Sequence, residues 1–229
     1  MNALDFQQGQ TILIDKPLNW TSFQVVNKLR WAIRKKYGLK KIKVGHAGTL
    51  DPLASGLLII CTGKMTKQIE SFQGQTKEYI AEVRFGATTP SFDLETEIDA
   101  HFSTAHISEE GLQHLMKKFL GEIAQKPPLF SAIKKDGKRL YELARAGKTT
   151  EIKSRKVHIY ELELQKFESD SATLRVVCSK GTYIRSLAHD LGMAIESGAH
   201  LVGLRRTKIG NFSVADARTI EQFLDDLGS

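Results

Sequence analysis

The spacing of apolar positions predicts most of the secondary structure. Ile12 to Ile14 reads as a short strand, which Asp15-Lys16-Pro17 ends because proline brings no N–H to a ladder. Val26, Leu29 and Ile33 then recur at helical spacing, with Thr21 or Ser22 placed to cap the helix and Gly38 to close it after a basic last turn. Glycines at 45 and 48 mark a tight loop from Gly45 to Asp51, and Gly56 to Cys61 reads as a buried strand behind it. From Glu78 to Phe85 the chain alternates, with Tyr79, Ala81, Val83 and Phe85 on one face and Glu78, Glu82 and Arg84 on the other, as in a half-buried strand. Gly86 to Phe102, rich in Thr, Pro, Asp and Glu, predicts a loop. Ser108 to Phe119 resumes helical spacing, and Pro127-Pro128 breaks it. Val157 to Phe167 and Ala172 to Cys178 predict two paired strands, and Gly181 turns the chain into a helix from Thr182 to Ile195. Strands and helices intermix without regular alternation or internal repeat. The expected fold class is therefore α/β (α+β), one domain over residues 1–229 around a mixed, largely antiparallel sheet.

Composition narrows the function classes. The 229 residues, 41% hydrophobic and 26% charged, can bury a core without disulfides or metals. Apolar runs such as Gly56 to Cys61 are too short to span a bilayer, and the N-terminus lacks a charged-then-apolar signal, so a cytoplasmic protein is expected. Cys61 and Cys178 each sit in an apolar strand-like run, which predicts buried thiols rather than a disulfide or a metal pair. The net charge of +7 is unevenly spread. Eight basic residues and no acidic one lie between Lys28 and Lys43; a second basic stretch runs from Lys126 to Lys156; Arg205, Arg206 and Lys208 form a third. Any one cluster is most simply a solvated face. Three together point to a polyanion whose phosphates they neutralise.

Several familiar chemistries are excluded. Gly56 and Gly63-Lys64 are too widely spaced for a P-loop, and Met65 stands where Ser or Thr would hold magnesium. There is no Gly-x-Gly-x-x-Gly after a strand, no zinc-type His or Cys spacing and no Gly-x-Ser-x-Gly elbow, so neither cofactor nor metal is expected. What survives is the segment Gly45-His46-Ala47-Gly48-Thr49-Leu50-Asp51-Pro52-Leu53-Ala54-Ser55-Gly56. Taken alone, Asp51-Pro52 reads most simply as the N-cap and first residue of a short helix. The glycines before it nevertheless allow close backbone approach to a ligand, and His46 can stack or hydrogen-bond. Tyr79 reads as a core aromatic. Arg185 stands in the first turn of a helix, where the dipole disfavours a cation unless a carboxylate or phosphate lies nearby, and Lys180-Gly181-Thr182-Tyr183 before it could present backbone donors to an anion.

These residues carry a resemblance. Ile14-Asp15-Lys16-Pro17, the Gly45 to Gly56 segment, Lys77-Glu78-Tyr79, Pro127-Pro128-Leu129-Phe130-Ser131-Ala132, Gly137-Lys138-Arg139-Leu140-Tyr141-Glu142-Leu143-Ala144-Arg145 and Ser179-Lys180-Gly181-Thr182-Tyr183-Ile184-Arg185 resemble, in order, the blocks of the bacterial TruB-type tRNA pseudouridine-55 synthases. The resemblance implies a sheet flanked by helices and isomerisation of the T-loop uridine of tRNA. It makes Asp51 the nucleophile, Tyr79 the residue that stacks on the base and assists proton transfer, and Arg185 the partner of the aspartate. Tyr183 and Leu204 are expected to line the uridine pocket, His46 to fill the space the base vacates, and Lys16 to lie near the pocket. An ion pair with Arg185 would keep Asp51 anionic among apolar groups. Attack at uracil C6 and at ribose C1′ both stay open. The implied partner is the tRNA T-arm, with no cofactor and no protein partner, and the chain is expected to act as a monomer. Relatives commonly carry a further C-terminal RNA-binding domain. Here the match ends near Ala217 and leaves a short Thr219 to Ser229 tail, so no such domain is expected and contacts to the acceptor stem are in question. The catalytic subunit of an RNA-guided pseudouridylase and an inactive RNA-binding or chaperone module are the rival readings.

Overall fold

The computed structural model describes residues 2–131, 133–135, 137–147, 150 and 152–228. Ala132 and Lys148, from the resemblance blocks and the second basic stretch, lie outside the described residues. The chain divides into two compact units: Met1–Tyr79 with Leu204–Ser229, and Ile80–Gly203, which is inserted in the sequence of the first.

The first unit begins with α1 (Ala3–Gln8), β1 (Thr11–Lys16), α2 (Ser22–Tyr37), β2 (Val44–His46), β3 (Ala54–Thr62), α3 (Ile69–Gly74) and the start of β4 (Lys77–Phe85). The second holds the rest of β4, then β5 (Ala87–Thr88), β6 (Ala100–His101), α4 (Glu109–Met116), β7 (Gly121–Gln125), β8 (Lys134–Lys135), β9 (Lys138–Arg139), α5 (Leu140–Arg145), β10 (Arg155–Glu168), β11 (Ser171–Cys178), α6 (Ile184–Ala194) and the start of β12 (Ala199–Ile209). The end of β12, β13 (Phe212–Ser213) and α7 (Ile220–Leu227) return to the first unit.

Local chemistry sets α2 where the sequence placed it. Thr21 and Gln24 form a reciprocal capping box, and Gly38 takes the left-handed conformation that closes the helix. Val25, Val26, Leu29, Ala32 and Ile33 form its buried stripe and pack with Ile12, Ile14, Leu58 and Ile60, each such aliphatic side chain contributing about 1.5–3 kcal/mol. The expected tail is a correction: Thr219 and Gln222 cap α7, whose Ile220, Phe223 and Leu227 complete this core. β3 is buried on both faces, because Leu57, Ile59 and Cys61 point into a second cluster with Ala47 and Ile209. One edge of β3 pairs antiparallel with β1, from Thr11↔Cys61 to Lys16↔Gly56. The other edge is shared. β2 pairs antiparallel with residues 60–62, and the end of β12 runs parallel along residues 54–56.

In the second unit, β10 is the middle strand, antiparallel to both β7 and β11. Ala172, Leu174, Val176 and Cys178 are buried on β11, and Ile184, Leu187, Ala188 and Leu191 on α6. The expected loop from Gly86 to Phe102 is closed at its base by the β5–β6 pair and buries Thr89, Ser91 and Asp93, whose polar atoms bond within the loop. Pairing among the described residues of both units is mostly antiparallel, with β12 parallel to β3 and a parallel bridge between Ile14 and Arg218, the mixed sheet the sequence predicted. Glu78 departs from the expected exposed face of β4. It is buried, and its carboxylate accepts from Thr207 Oγ1 at 2.7 Å and pairs with Lys208 at 3.5 Å. Cys61 and Cys178 are buried free thiols. No described helix is long and apolar enough to cross a membrane.

Candidate active site

The Gly45 to Gly56 segment leaves β2 at His46 and enters β3 at Ala54, and several fasteners hold its backbone. Ala47 N–H donates to the Ile59 carbonyl at 2.9 Å. The Ser22 hydroxyl, at the start of α2, accepts from Leu50 N–H at 2.8 Å and donates to the Leu50 carbonyl at 3.1 Å. Asn19 N–H reaches the Pro52 carbonyl at 2.8 Å, and Ala54 N–H reaches that of Asp51 at 3.1 Å. Residues 52–53 form a turn that leads directly into β3. Asp51 therefore caps no helix, which corrects the simplest reading of Asp51-Pro52. Its carboxylate is carried instead on a tight turn fixed to the sheet.

Arg206 lies under this turn. It is 1% exposed, donates from Nε to the Leu57 carbonyl at 2.8 Å and from Nη2 to the Gly48 carbonyl at 3.2 Å. Gly56 makes room for it: a Cβ there would stand 2.3 Å from the Arg206 carbonyl oxygen, and its φ of +105° is itself a glycine conformation. The third basic cluster is thus corrected at Arg206 alone, since Arg205 and Lys208 remain partly exposed. Arg206 is interior, Arg205 forms a forked pair with Asp15 at 2.6 and 3.1 Å, and Lys208 faces Glu78.

Lys16, at the end of β1, is fully buried and donates from Nζ to the carbonyls of Pro17 at 2.9 Å and Trp20 at 2.7 Å. Burial pushes its pKa down to about 8; the negative charge of Asp51 opposes the fall, Arg206 adds to it, and Asp15 opposes it. The ammonium and the Asp51 carboxylate therefore lie within electrostatic reach. His46 titrates below its ordinary value because it is buried and because Arg206 is cationic, a backbone bond at Gly48 acting against both. It is neutral at physiological pH. Leu204 sits across the parallel pair from Ala54, three residues beyond Asp51, and Tyr79 is 9% exposed near the start of β4. The first unit thus holds Lys16, His46, Asp51, Tyr79 and Leu204, with Lys16 within electrostatic reach of Asp51.

In the second unit Tyr183 and Arg185 open α6. The Gln125 side chain clasps the Tyr183 backbone through N–H at 2.8 Å and C=O at 3.0 Å, and the Arg155 guanidinium lies 4.5 Å from the Tyr183 ring centroid while donating to the Gly181 carbonyl. Arg185 is 3% exposed and donates to the carbonyls of Ser91 at 3.1 Å and Phe130 at 2.9 Å, with Nε 3.5 Å from Asp93 Oδ2. Asp93 accordingly offsets the cation at this helix start. Asp93 is in turn fixed by Glu95 N–H at 2.9 Å, and its neighbour Phe92, with φ +64°, stacks on His189 at 3.9 Å. Asp93 and Arg206 are the supporting residues that sequence reasoning missed.

Comparison with known proteins decides the family. Residues 34–184 match the TruB family pseudouridylate synthase N-terminal domain, and residues 185–228 match the tRNA pseudouridylate synthase B C-terminal domain. The chain belongs to the TruB family. Its relatives include the tRNA pseudouridine synthase B of Flavobacterium johnsoniae, 59% identical over 99% of this chain and 100% of that protein, and that of Phocaeicola vulgatus, 56% identical over 96% and 94%. Among solved structures, a chain of a Cbf5-Nop10-Gar1 complex superposes with a TM-score of 0.72 at 32% identity, over 97% of this chain and 55% of that one. A chain of an H/ACA RNP bound to a substrate RNA gives 0.69 at 30% identity, over 96% and 53%. The TruB chain spans about half the length of those two. Its second domain match runs to residue 228, past the Ala217 at which the sequence blocks end, and includes α7. Among the described residues no group of three or more His, Cys, Asp and Glu side chains forms a metal-binding cluster.

Proposed function

We propose that this TruB-family chain isomerises the T-loop uridine at position 55 of tRNA to pseudouridine, with Asp51 as nucleophile. The observation that carries the reading is the fixed turn that presents the Asp51 carboxylate within reach of the buried Lys16 ammonium. A neighbouring cation favours the anionic carboxylate, and only the anion can attack. The target base first leaves its stack, at a cost of a few kcal/mol that stacking and phosphate contacts must offset. The carboxylate then adds to the uridine at C6 or C1′, the N1–C1′ bond breaks, the base turns, C5 bonds to C1′, and the bond to Asp51 breaks to regenerate the free carboxylate. C5 loses the proton that N1 gains, so no co-reactant is consumed. Tyr79 is assigned to stacking on the base and assisting that proton transfer, and Arg185 to partnering the carboxylate. Tyr183 and Leu204 are assigned to lining the pocket, and neutral His46 to filling the space the base leaves. The T-arm is the proposed recognition element, read by a monomer in the cytoplasm without a protein partner. The relatives at 59% and 56% identity are named for tRNA, which favours this reading over RNA-guided catalysis.

Asp51→Asn tests the assignment. It preserves shape, so pseudouridine formation in unmodified tRNA should fall below detection while tRNA affinity stays within a few-fold of wild type. Turnover near the wild-type rate would falsify the nucleophile assignment.

A further inference from the structure

The outward face of α2 has no part in the pocket described above, and its composition is unusual. No acidic residue occurs from Pro17 to Leu50, whereas eight of the 33 Lys and Arg residues do, so this segment alone accounts for the positive net charge. Helix electrostatics explain part of the excess. Arg34, Lys35 and Lys36 complement the C-terminal end of the dipole, and Lys36 donates to the Gly228 carbonyl at 2.8 Å. They do not explain two large aromatic rings on the same face. Phe23 is 64% exposed and Trp31 53%, and the ammonium groups of Lys28 and Lys35 stand 5.6 and 4.9 Å from the centroid of the Trp31 ring.

Helical geometry makes this face one surface. At 100° per residue, Phe23, Asn27, Lys28, Trp31, Arg34 and Lys35 fall opposite the stripe of Val25, Val26, Leu29, Ala32 and Ile33. The surface is also tied to the reacting centre, because Ser22 in the first turn of α2 holds both backbone groups of Leu50, next to Asp51. Trp31 lies nine residues further along, roughly 14 Å at 1.5 Å per residue. That separation matches about two nucleotides of backbone at roughly 6–7 Å each.

We propose that the outer face of α2 is an RNA track, on which Trp31 stacks against a base or ribose of the substrate while Lys28 and Lys35 neutralise flanking phosphates. An aromatic ring between cations is the combination that holds single-stranded or looped nucleic acid without reading its sequence. The charge balance favours RNA over a second copy of this chain, which would bring the same cations, Lys28, Arg34 and Lys35, to the interface. Isolated rings set among Lys, Arg, Gln and Asn offer no continuous apolar stripe for a lipid surface to bury. The inference rests on the proposed action on tRNA.

The test uses the full chain carrying Asp51→Asn and Trp20→Phe, which leaves Trp31 as its single tryptophan. Unmodified tRNA should quench Trp31 emission in a saturable, salt-sensitive manner. Vesicles of anionic phospholipid should not, and a response to vesicles but not to RNA overturns the proposal. In the catalytically intact chain, Trp31→Ala should raise KM at least about fivefold and leave single-turnover rates at saturating RNA unchanged. Lys28→Gln with Lys35→Gln should lower the slope of log affinity against log salt by about two. Melting temperatures should stay within a few degrees of wild type, since these side chains lie outside the core. An unchanged KM and an unchanged salt slope overturn the track, as does a Trp31→Ala effect confined to self-association in sedimentation. If Trp31 is quenched by RNA but the intact chain forms no pseudouridine, the track stands and the proposed function fails.

Discussion

Asp51 and Arg185 are held by different means. The turn that carries Asp51 is held by backbone bonds: residues 48, 50, 51 and 52 are each fastened through N–H or C=O to Arg206, Ser22, Ala54 and Asn19. Arg185 is held through its own side chain, by the carbonyls of Ser91 and Phe130 and the carboxylate of Asp93. A backbone-fastened residue shares the rigidity of its sheet, so its support cannot be weakened without weakening the fold. A side chain held by a loop can be displaced while the fold survives. Variants around Asp51 should therefore lose stability and activity together, and those around Arg185 should separate the two.

The largest expected effect is that of Gly56→Ala, whose Cβ would meet the Arg206 backbone at a φ that L residues rarely adopt. Loss of more than about 4 kcal/mol is expected, seen as insoluble or unfolded protein in circular dichroism. A soluble variant of normal stability would mean that β3 and β12 can part without harm. Arg206→Met should come next, since it strands the Gly48 and Leu57 carbonyls and takes the cation from beneath the turn. A cost of about 3 kcal/mol in urea unfolding, with turnover reduced in parallel, is expected. Retained stability with lost turnover would give Arg206 a chemical role instead.

Asp93→Asn sharpens the contrast from the other side. It keeps an acceptor for Glu95 N–H but removes the charge facing Arg185, and a misplaced guanidinium should lower kcat about a hundredfold, or about 2.7 kcal/mol. Its melting temperature should fall far less than that of Arg206→Met; equal falls in both would erase the distinction. The last test concerns Lys16 and reads a slope rather than a loss. With a native pKa of about 8 against an ordinary 10.5, the folded chain binds fewer protons than the unfolded chain between those values. Stability from this group therefore rises with pH through that window and is flat below it, by at most about 1.4 kcal/mol per pH unit. The stability difference between wild type and Lys16→Met, measured from pH 7 to 10, should show that slope. A flat difference would mean that native Lys16 titrates normally.

The elements legible in the sequence are those made by neighbours in sequence. The ends of α2 follow from Thr21, Gln24 and Gly38, and the β10–β11 hairpin follows from two apolar runs around a polar turn. The end of β12 beside β3 was not legible, because Leu204↔Ala54 joins residues 150 positions apart and nothing local announces a parallel partner. Of the proposed site, the sequence named Asp51, Lys16, His46 and Leu204, and the first unit holds all four, with Lys16 within electrostatic reach of Asp51. Arg206 was taken for a surface charge, since composition does not separate a solvated guanidinium from one satisfied by carbonyls. Asp93 was lost in a polar stretch read as loop, where internal bonding is equally invisible. One signal was available for Asp51. A helix begun at Pro52 would have collided within four residues with the strand pattern that opens at Gly56.

The shared edge of β3 also dictates when the site can exist. Gly56 and the Leu57 carbonyl wait for Arg206, which leaves the ribosome 150 residues after Gly56. At about 5–20 residues per second that interval is roughly 8–30 s, during which the nascent first unit lacks the arginine that props its turn. Synthesis of Arg206, rather than the appearance of Asp51, sets the moment at which this turn can be completed.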